Sequence, residues 1–191
     1  MRFAYREEQL LIRDTVRAFA QERIAPQADA WCEAGAFPPG LVREMAALGL
    51  TGLAVPTELG GAGLDLVTVA LVMEELAAAD GAIALTLAAH NSLCLGHLLV
   101  AASGEQKQRW VPALARGDHL GAWALTEAGS GSAAIAARTR AVRAGDSYVL
   151  DGTKQFITNG SLAGFTVIIA ASADRALTAF GVPAGTPGLC A

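Results

Sequence analysis

The sequence predicts an α+β protein, with helices gathered in the first part of the chain and strands in the last. Three observations carry this. Apolar residues recur at three- and four-residue spacing up to about residue 117, and helix-capping residues punctuate the same stretch. After Gly117 the pattern changes to Gly and Asp turns between short β-branched runs, which marks a boundary between two regions. With 191 residues, 53% of them hydrophobic, the chain can bury about 70% of the surface its unfolded form exposes.

The elements follow in order. Ile12, Val16, Phe19 and Ala20 share one helical face, with Glu7 and Glu8 near the helix start and Pro26 just past its expected end. Pro39 can open a second helix with Leu41, Met45 and Leu48 as its apolar stripe, and Gly49 is a natural left-handed stop. A glycine-rich loop, VPTELGGAGL, comes next. Asp65 can cap a third helix whose inner face is Val69, Val72, Met73 and Leu76. The tract 82–102 is apolar almost all round and reads as a helix buried among others. Ser103 followed by Gln106 is a capping-box pattern for a fifth helix containing Trp110, Pro112 and Leu114. Beyond it, GAWAL, FTVIIAA and LTAFGV read as strands, and SYVL and TKQFIT flank Asp151 and Gly152, the favoured pair for a tight hairpin turn.

Composition excludes several function classes. The net charge is −4 with scattered arginines, so no electrostatic footprint for nucleic acid is present. Cys32, Cys94 and Cys190 are far apart and odd in number, which fits a reducing cytoplasm better than a disulfide framework. The first residues carry charges where a signal peptide needs an apolar stretch, so the sequon at Asn159 carries no weight. His90, Asn91, Ser92 and His97 interrupt the 82–102 tract, and their polar groups argue against a membrane span.

Four local patterns bear on chemistry. Gly129, Gly131 and Ala134 fit G-x-G-x-x-A, but the hairpin signal that follows is at odds with the crossover a Rossmann unit needs. His90, Cys94 and His97 share a helix face, yet one straight helix rarely converges three ligands on an ion, so no metal site is expected. Ser132 lacks both a nucleophile elbow and a downstream histidine. Glu74 and Glu75, like Glu7 and Glu8, are adjacent on helices and cannot share a face.

Four segments, in order, resemble hallmarks of the acyl-CoA dehydrogenase family: VPTELGGAGL (55–64), SGEQKQRWVPALARGD (103–118), WALTEAGSGS (123–132) and DGTKQFITNG (151–160). The resemblance covers essentially the whole chain. It implies an all-α N-terminal domain over residues 1–119 and, over 120–191, part of an antiparallel β-barrel-like middle domain. It further implies FAD as cofactor, an acyl-CoA substrate, an electron-transfer flavoprotein as partner and a homotetramer in the full-length form.

By the same resemblance, Trp123, Leu125 and Thr126 match the stretch at the flavin pyrimidine edge. Ser132 matches the serine near the FAD pyrophosphate and the substrate thioester. Phe156, Ile157 and Thr158 match the triplet against the isoalloxazine, and Leu93 the lining of the acyl pocket. Ala128 and Ala133 depart from the family's usual proline and acid, and Phe156 stands where tryptophan is more familiar. The family's catalytic base is a glutamate on a C-terminal helical bundle, so no residue here is assigned as catalytic and Glu127 is read as structural. Three readings follow: a dehydrogenase fragment inactive alone, a flavin- or acyl-CoA-binding subunit completed by another chain, and a nucleotide-binding Rossmann module. A helix over 133–142 would favour the last.

Overall fold

The computed structural model describes residues 4–38, 40–172 and 176–191. Seven α-helices are described: α1 (Glu7–Phe19), α2 (Ala28–Ala34), α3 (Leu41–Ala47), α4 (Leu66–Ala79), α5 (Gly81–Ala88), α6 (Gly96–Ala101) and α7 (Gly104–Ala115). Five strands follow: β1 (Leu120–Ala124), β2 (Arg140–Ala144), β3 (Ser147–Asp151), β4 (Ala163–Ala171) and β5 (Leu177–Pro183). The class is α+β, helices first and sheet second.

Several expected caps are present in atomic detail. The Asp65 carboxylate accepts from the amides of Val67 and Thr68, each at 3.0 Å, and also pairs with Arg6. Ser103 and Gln106 form a reciprocal capping box at the start of α7. Gly49 closes α3 in the left-handed conformation. Pro26 does not end the first helical stretch. A π-turn (Ala20–Ile24) and a 3-10 turn (Ala25–Gln27) carry the chain from α1 into α2, and Pro26 sits in that turn, where its missing N–H costs little. The expected role of Pro39 lies outside the described residues.

The apolar tract is the 21-residue stretch Gly81–Ala101, in which α5 and α6 are joined by a π-turn (Ala89–Leu95). By length and composition alone it could cross a membrane. In the fold one side of it is core, with Ile83, Leu87, Leu95 and Leu98 buried and β1 packed against its π-turn, while Leu85, Leu93 and Val100 are exposed, so the tract is not buried all round as expected.

The sheet is mixed and open, which refines the antiparallel, barrel-like expectation. β4 is central. It runs parallel to β1, antiparallel to β5 and parallel to β2 through the single pair Arg140 and Ala171. β2 and β3 form the hairpin. Its turn is at Gly145 and Asp146, between the paired Ala144 and Ser147, and not at Asp151 and Gly152. The reason is steric and polar. A Cβ on Gly152 would lie 2.5 Å from Thr139 Oγ1, so this glycine marks a close approach. The segment after it is irregular because its backbone and side chains bond to β1 and the residues that follow it. The stretch 133–142 is a short 3-10 turn (Ala134–Ala136) running into β2, not a helix, which removes the Rossmann reading.

Both faces of the sheet are apolar, and helices cover one of them. One cluster joins helical Val55, Leu59, Leu95, Leu98, Val111 and Leu114 to Phe165, Val167 and Ile169, with Trp123 and Leu125 packed against it. The other face carries Ala124, Ile168 and Val182, with Leu150, Ile157 and Phe180. Strand β3 forms an edge, and Val142, Tyr148 and Val149 remain exposed beside it.

Candidate functional site

The two motif segments, 123–132 and 151–160, are far apart in sequence and lie side by side. The Gln155 amide donates to Thr126 O at 2.8 Å. Lys154 Nζ donates to Leu125 O at 2.9 Å and to Glu127 Oε1 at 2.8 Å. Asn159 Nδ2 reaches Gly121 O at 3.1 Å and Thr86 O at 3.0 Å, tying the second segment to both β1 and α5.

Between these ties stands Phe156. Its φ of 57° is a left-handed conformation costly for a bulky side chain, and 86% of the residue is exposed. A strained backbone that presents an aromatic ring to solvent needs surrounding bonds to hold it. Asn159, at φ 66°, is the other non-glycine residue in this conformation among the described residues.

Glu127 lies at the centre of the ties. Its carboxylate accepts from Thr139 Oγ1 at 2.6 Å, from the amides of Thr139 at 3.0 Å and Arg138 at 2.6 Å, and from Lys154. Both members of the Glu127–Lys154 pair are under 10% exposed. Burial opposes ionisation, but Lys154, the Thr139 hydroxyl and the two amides outweigh it and hold the carboxyl at about 2. Such a group contributes stability above the ordinary carboxylate range, and that contribution is lost as pH falls towards 2. Melting temperatures of the native chain and the Glu127→Gln variant are therefore expected to differ most above about pH 5 and to converge on acidification. A difference independent of pH would contradict this.

The site residues read from the sequence separate by face. Thr126, Ile157 and Thr158 are half-buried where the segments meet, with Phe156 beside them, and Ser132 is exposed in the loop after the tight turn closed by Glu127 and Ser130. The hydroxyls of Thr126, Ser132 and Thr158 take no part in the chain's own side-chain hydrogen bonds among the described residues. Trp123 and Leu125 instead send their side chains into the layer between sheet and helices, where Trp123 lies 6.3 Å from His97. Leu93 is exposed on the π-turn. His90 is buried and committed: Nδ1 accepts from the Gly121 amide at 2.8 Å, so Nε2 carries the proton and donates to Thr51 O at 2.9 Å. Neither nitrogen is left for a metal.

Sequence reasoning missed Lys154, Gln155 and Asn159. Their neighbours on the other segment are 27 to 38 positions away, so no local pattern marks them. Of two clefts, one of about 820 Å³ lies among α3, the glycine loop and the end of α7. The other, about 1210 Å³, lies beside the β2–β3 hairpin and includes Lys154 and Ile157. Thr126, Ser132 and Phe156 line neither, so these residues form an open wall.

The family model described as acyl-CoA dehydrogenase, N-terminal domain, matches residues 6–118, and that for the middle domain matches 122–191. The human mitochondrial short-chain specific acyl-CoA dehydrogenase is 44% identical over 188 residues, covering 96% of this chain and 45% of that protein. A glutaryl-CoA dehydrogenase from Mycobacterium smegmatis, solved in complex with FADH2, superposes with a TM-score of 0.91 at 36% identity, covering 96% of this chain and 47% of that one. A structure described as an electron transferring flavoprotein of Acidaminococcus fermentans superposes with a TM-score of 0.95 at 36% identity, covering 98% of this chain and 50% of that one. The chain spans about half the length of the curated relatives it matches. Matching both family models along nearly its whole length, the chain belongs to the acyl-CoA dehydrogenase family.

Proposed function

We propose that residues 123–132 and 153–158 form one wall of an FAD site in an acyl-CoA dehydrogenase. The substrate is an acyl-CoA thioester, and an electron-transferring flavoprotein is the electron acceptor of the assembled homotetramer. The observation that carries this reading is Phe156, an exposed aromatic ring held in a strained backbone conformation beside uncommitted hydroxyls. Such a wall suits a flat heteroaromatic cofactor. Phe156 offers an apolar face that excludes water, Thr126 and Thr158 offer hydroxyls to ring heteroatoms, and Ser132 offers a hydroxyl on an exposed loop to a phosphate. Trp123 and Leu125, with inward side chains, would contribute backbone groups, and Leu93 would touch the acyl chain. A bound flavin would supply the hydride-accepting chemistry. The glutaryl-CoA dehydrogenase relative solved with FADH2 supports the cofactor.

Glu127, ionised and saturated with donors, is a poor proton acceptor. The wall's one carboxylate is thus committed to structure, and the chain by itself is expected to bind and orient the substrate without removing its α proton. Packing of Gly81–Ala101 as core supports a water-soluble protein, and the free thiols support the cytoplasm as its compartment.

Titration of the chain with FAD tests the reading. Uptake with a resolved visible band is expected. Phe156→Trp should retain it, and Phe156→Ala should weaken it about tenfold, the worth of one aromatic stacking contact. No uptake by the native chain, or equal affinity for the alanine variant, would overturn the assignment. Anaerobic bleaching on adding an acyl-CoA would overturn the claim of inactivity.

A further inference from the structure

Phe156 is strained, and strain of this kind persists only where neighbours over-determine the backbone. The ring's segment is pinned two residues upstream by Lys154, one residue upstream by the Gln155 amide on Thr126 O, and three residues downstream by Asn159 on Thr86 O and Gly121 O. Lys154 is the node. Its ammonium bridges Leu125 O and Glu127 Oε1, the residues either side of Thr126, and it is 9% exposed, so both contacts are shielded from water. Glu127 in turn fixes the start of β2 through the amides of Arg138 and Thr139. One ammonium thus joins three stretches of backbone: 125–127, 138–139 through the carboxylate, and its own segment carrying Phe156.

We propose that Lys154 is a positioning residue that, through Glu127 and Leu125 O, holds Phe156 and Thr126 in register as a preformed surface for the flavin. The inference rests on the flavin-wall reading. It adds that the wall is organised before any cofactor arrives, by a buried ion pair that acts through the backbone it holds. Preorganisation places the ordering cost in folding instead of in binding. Lysine suits the node because its compact ammonium can serve two acceptors at once.

Hydrogen-exchange mass spectrometry on the cofactor-free chain tests the positioning role apart from flavin binding. In Lys154→Met, and in the near-isosteric Glu127→Gln, faster exchange is expected in peptides covering 124–128 and 153–159, with α4 and β4 unchanged. Unchanged exchange in those two segments would overturn the proposal, and so would equal acceleration along the whole chain, which is the mark of a general core tie. Lys154→Arg, which keeps the charge, should restore part of the protection. In parallel, FAD affinity of Lys154→Met should fall about tenfold, because the cost of ordering the wall then moves from folding to binding. Failure of the native chain to take up FAD would sink the flavin-wall reading while the exchange data still judged the clasp. Native uptake with unaltered affinity in Lys154→Met would sink the clasp alone.

Discussion

Replacing His90 with leucine is expected to lower the melting temperature by about 10 °C, the equivalent of about 3–5 kcal/mol for a chain of this size. The side chain has no exposed surface and bridges two elements: the Gly121 amide of β1 and the carbonyl of Thr51 near the glycine loop. A register shift between β1 and β4 occurs at Leu120 and Gly121. Side chains bond both backbone groups of Gly121, His90 at the amide and Asn159 at the carbonyl. Leucine would fill the volume but strand a buried N–H and a buried C=O, each costing about 1–3 kcal/mol. Thermal melts of the two proteins check this, and a change below about 2 °C would contradict it.

The substitution also carries a pH signature. Burial keeps His90 below the ordinary histidine range, the bonds to backbone only partly opposing it. As pH falls through about 6.5 the unfolded chain takes up a proton that the folded chain refuses, so stability declines on acidification. In the leucine variant this part of the decline is expected to vanish.

The second large effect is expected at Gly61. Residues 62–64 lie alongside 52–55: the Ala62 amide donates to Gly52 O at 2.8 Å, Gly63 to Val55 O at 2.9 Å and Leu64 to Leu53 O at 2.8 Å. A Cβ on Gly61 would stand 2.2 Å from Val55 O and 2.7 Å from Gly52 O, and both are backbone atoms that cannot step aside. Gly61→Ala must therefore separate the two stretches, at a cost of about 3 kcal/mol or more. Gly104→Ala is the control, because a Cβ there meets nothing within 4 Å at the start of α7. Chemical denaturation should separate the two variants by that amount, and equal midpoints would contradict the steric argument.

Sequence alone determined whatever is set within a few residues. The Asp65 cap, the Ser103 and Gln106 box, the Gly49 stop and the β-branched runs of β4 and β5 were all legible, because caps and periodicity are local physics. The motif segments were legible too, as ordered resemblance. Tertiary structure decided the rest. The hairpin turns at Gly145 and Asp146 because β3 and Thr139 claim Asp151 and Gly152, a competition the dipeptide signal does not record. Pro26 joins two helical stretches because a π-turn absorbs the change. His90 is a strut because β1 packs against its helix and brings the Gly121 amide to Nδ1. The faces of Trp123 and Leu125, and the tie of Lys154 to Leu125 and Glu127, depend on pairings between residues 27 to 38 positions apart in sequence. Such contacts form only when packing has brought the segments together, so no local pattern could carry them.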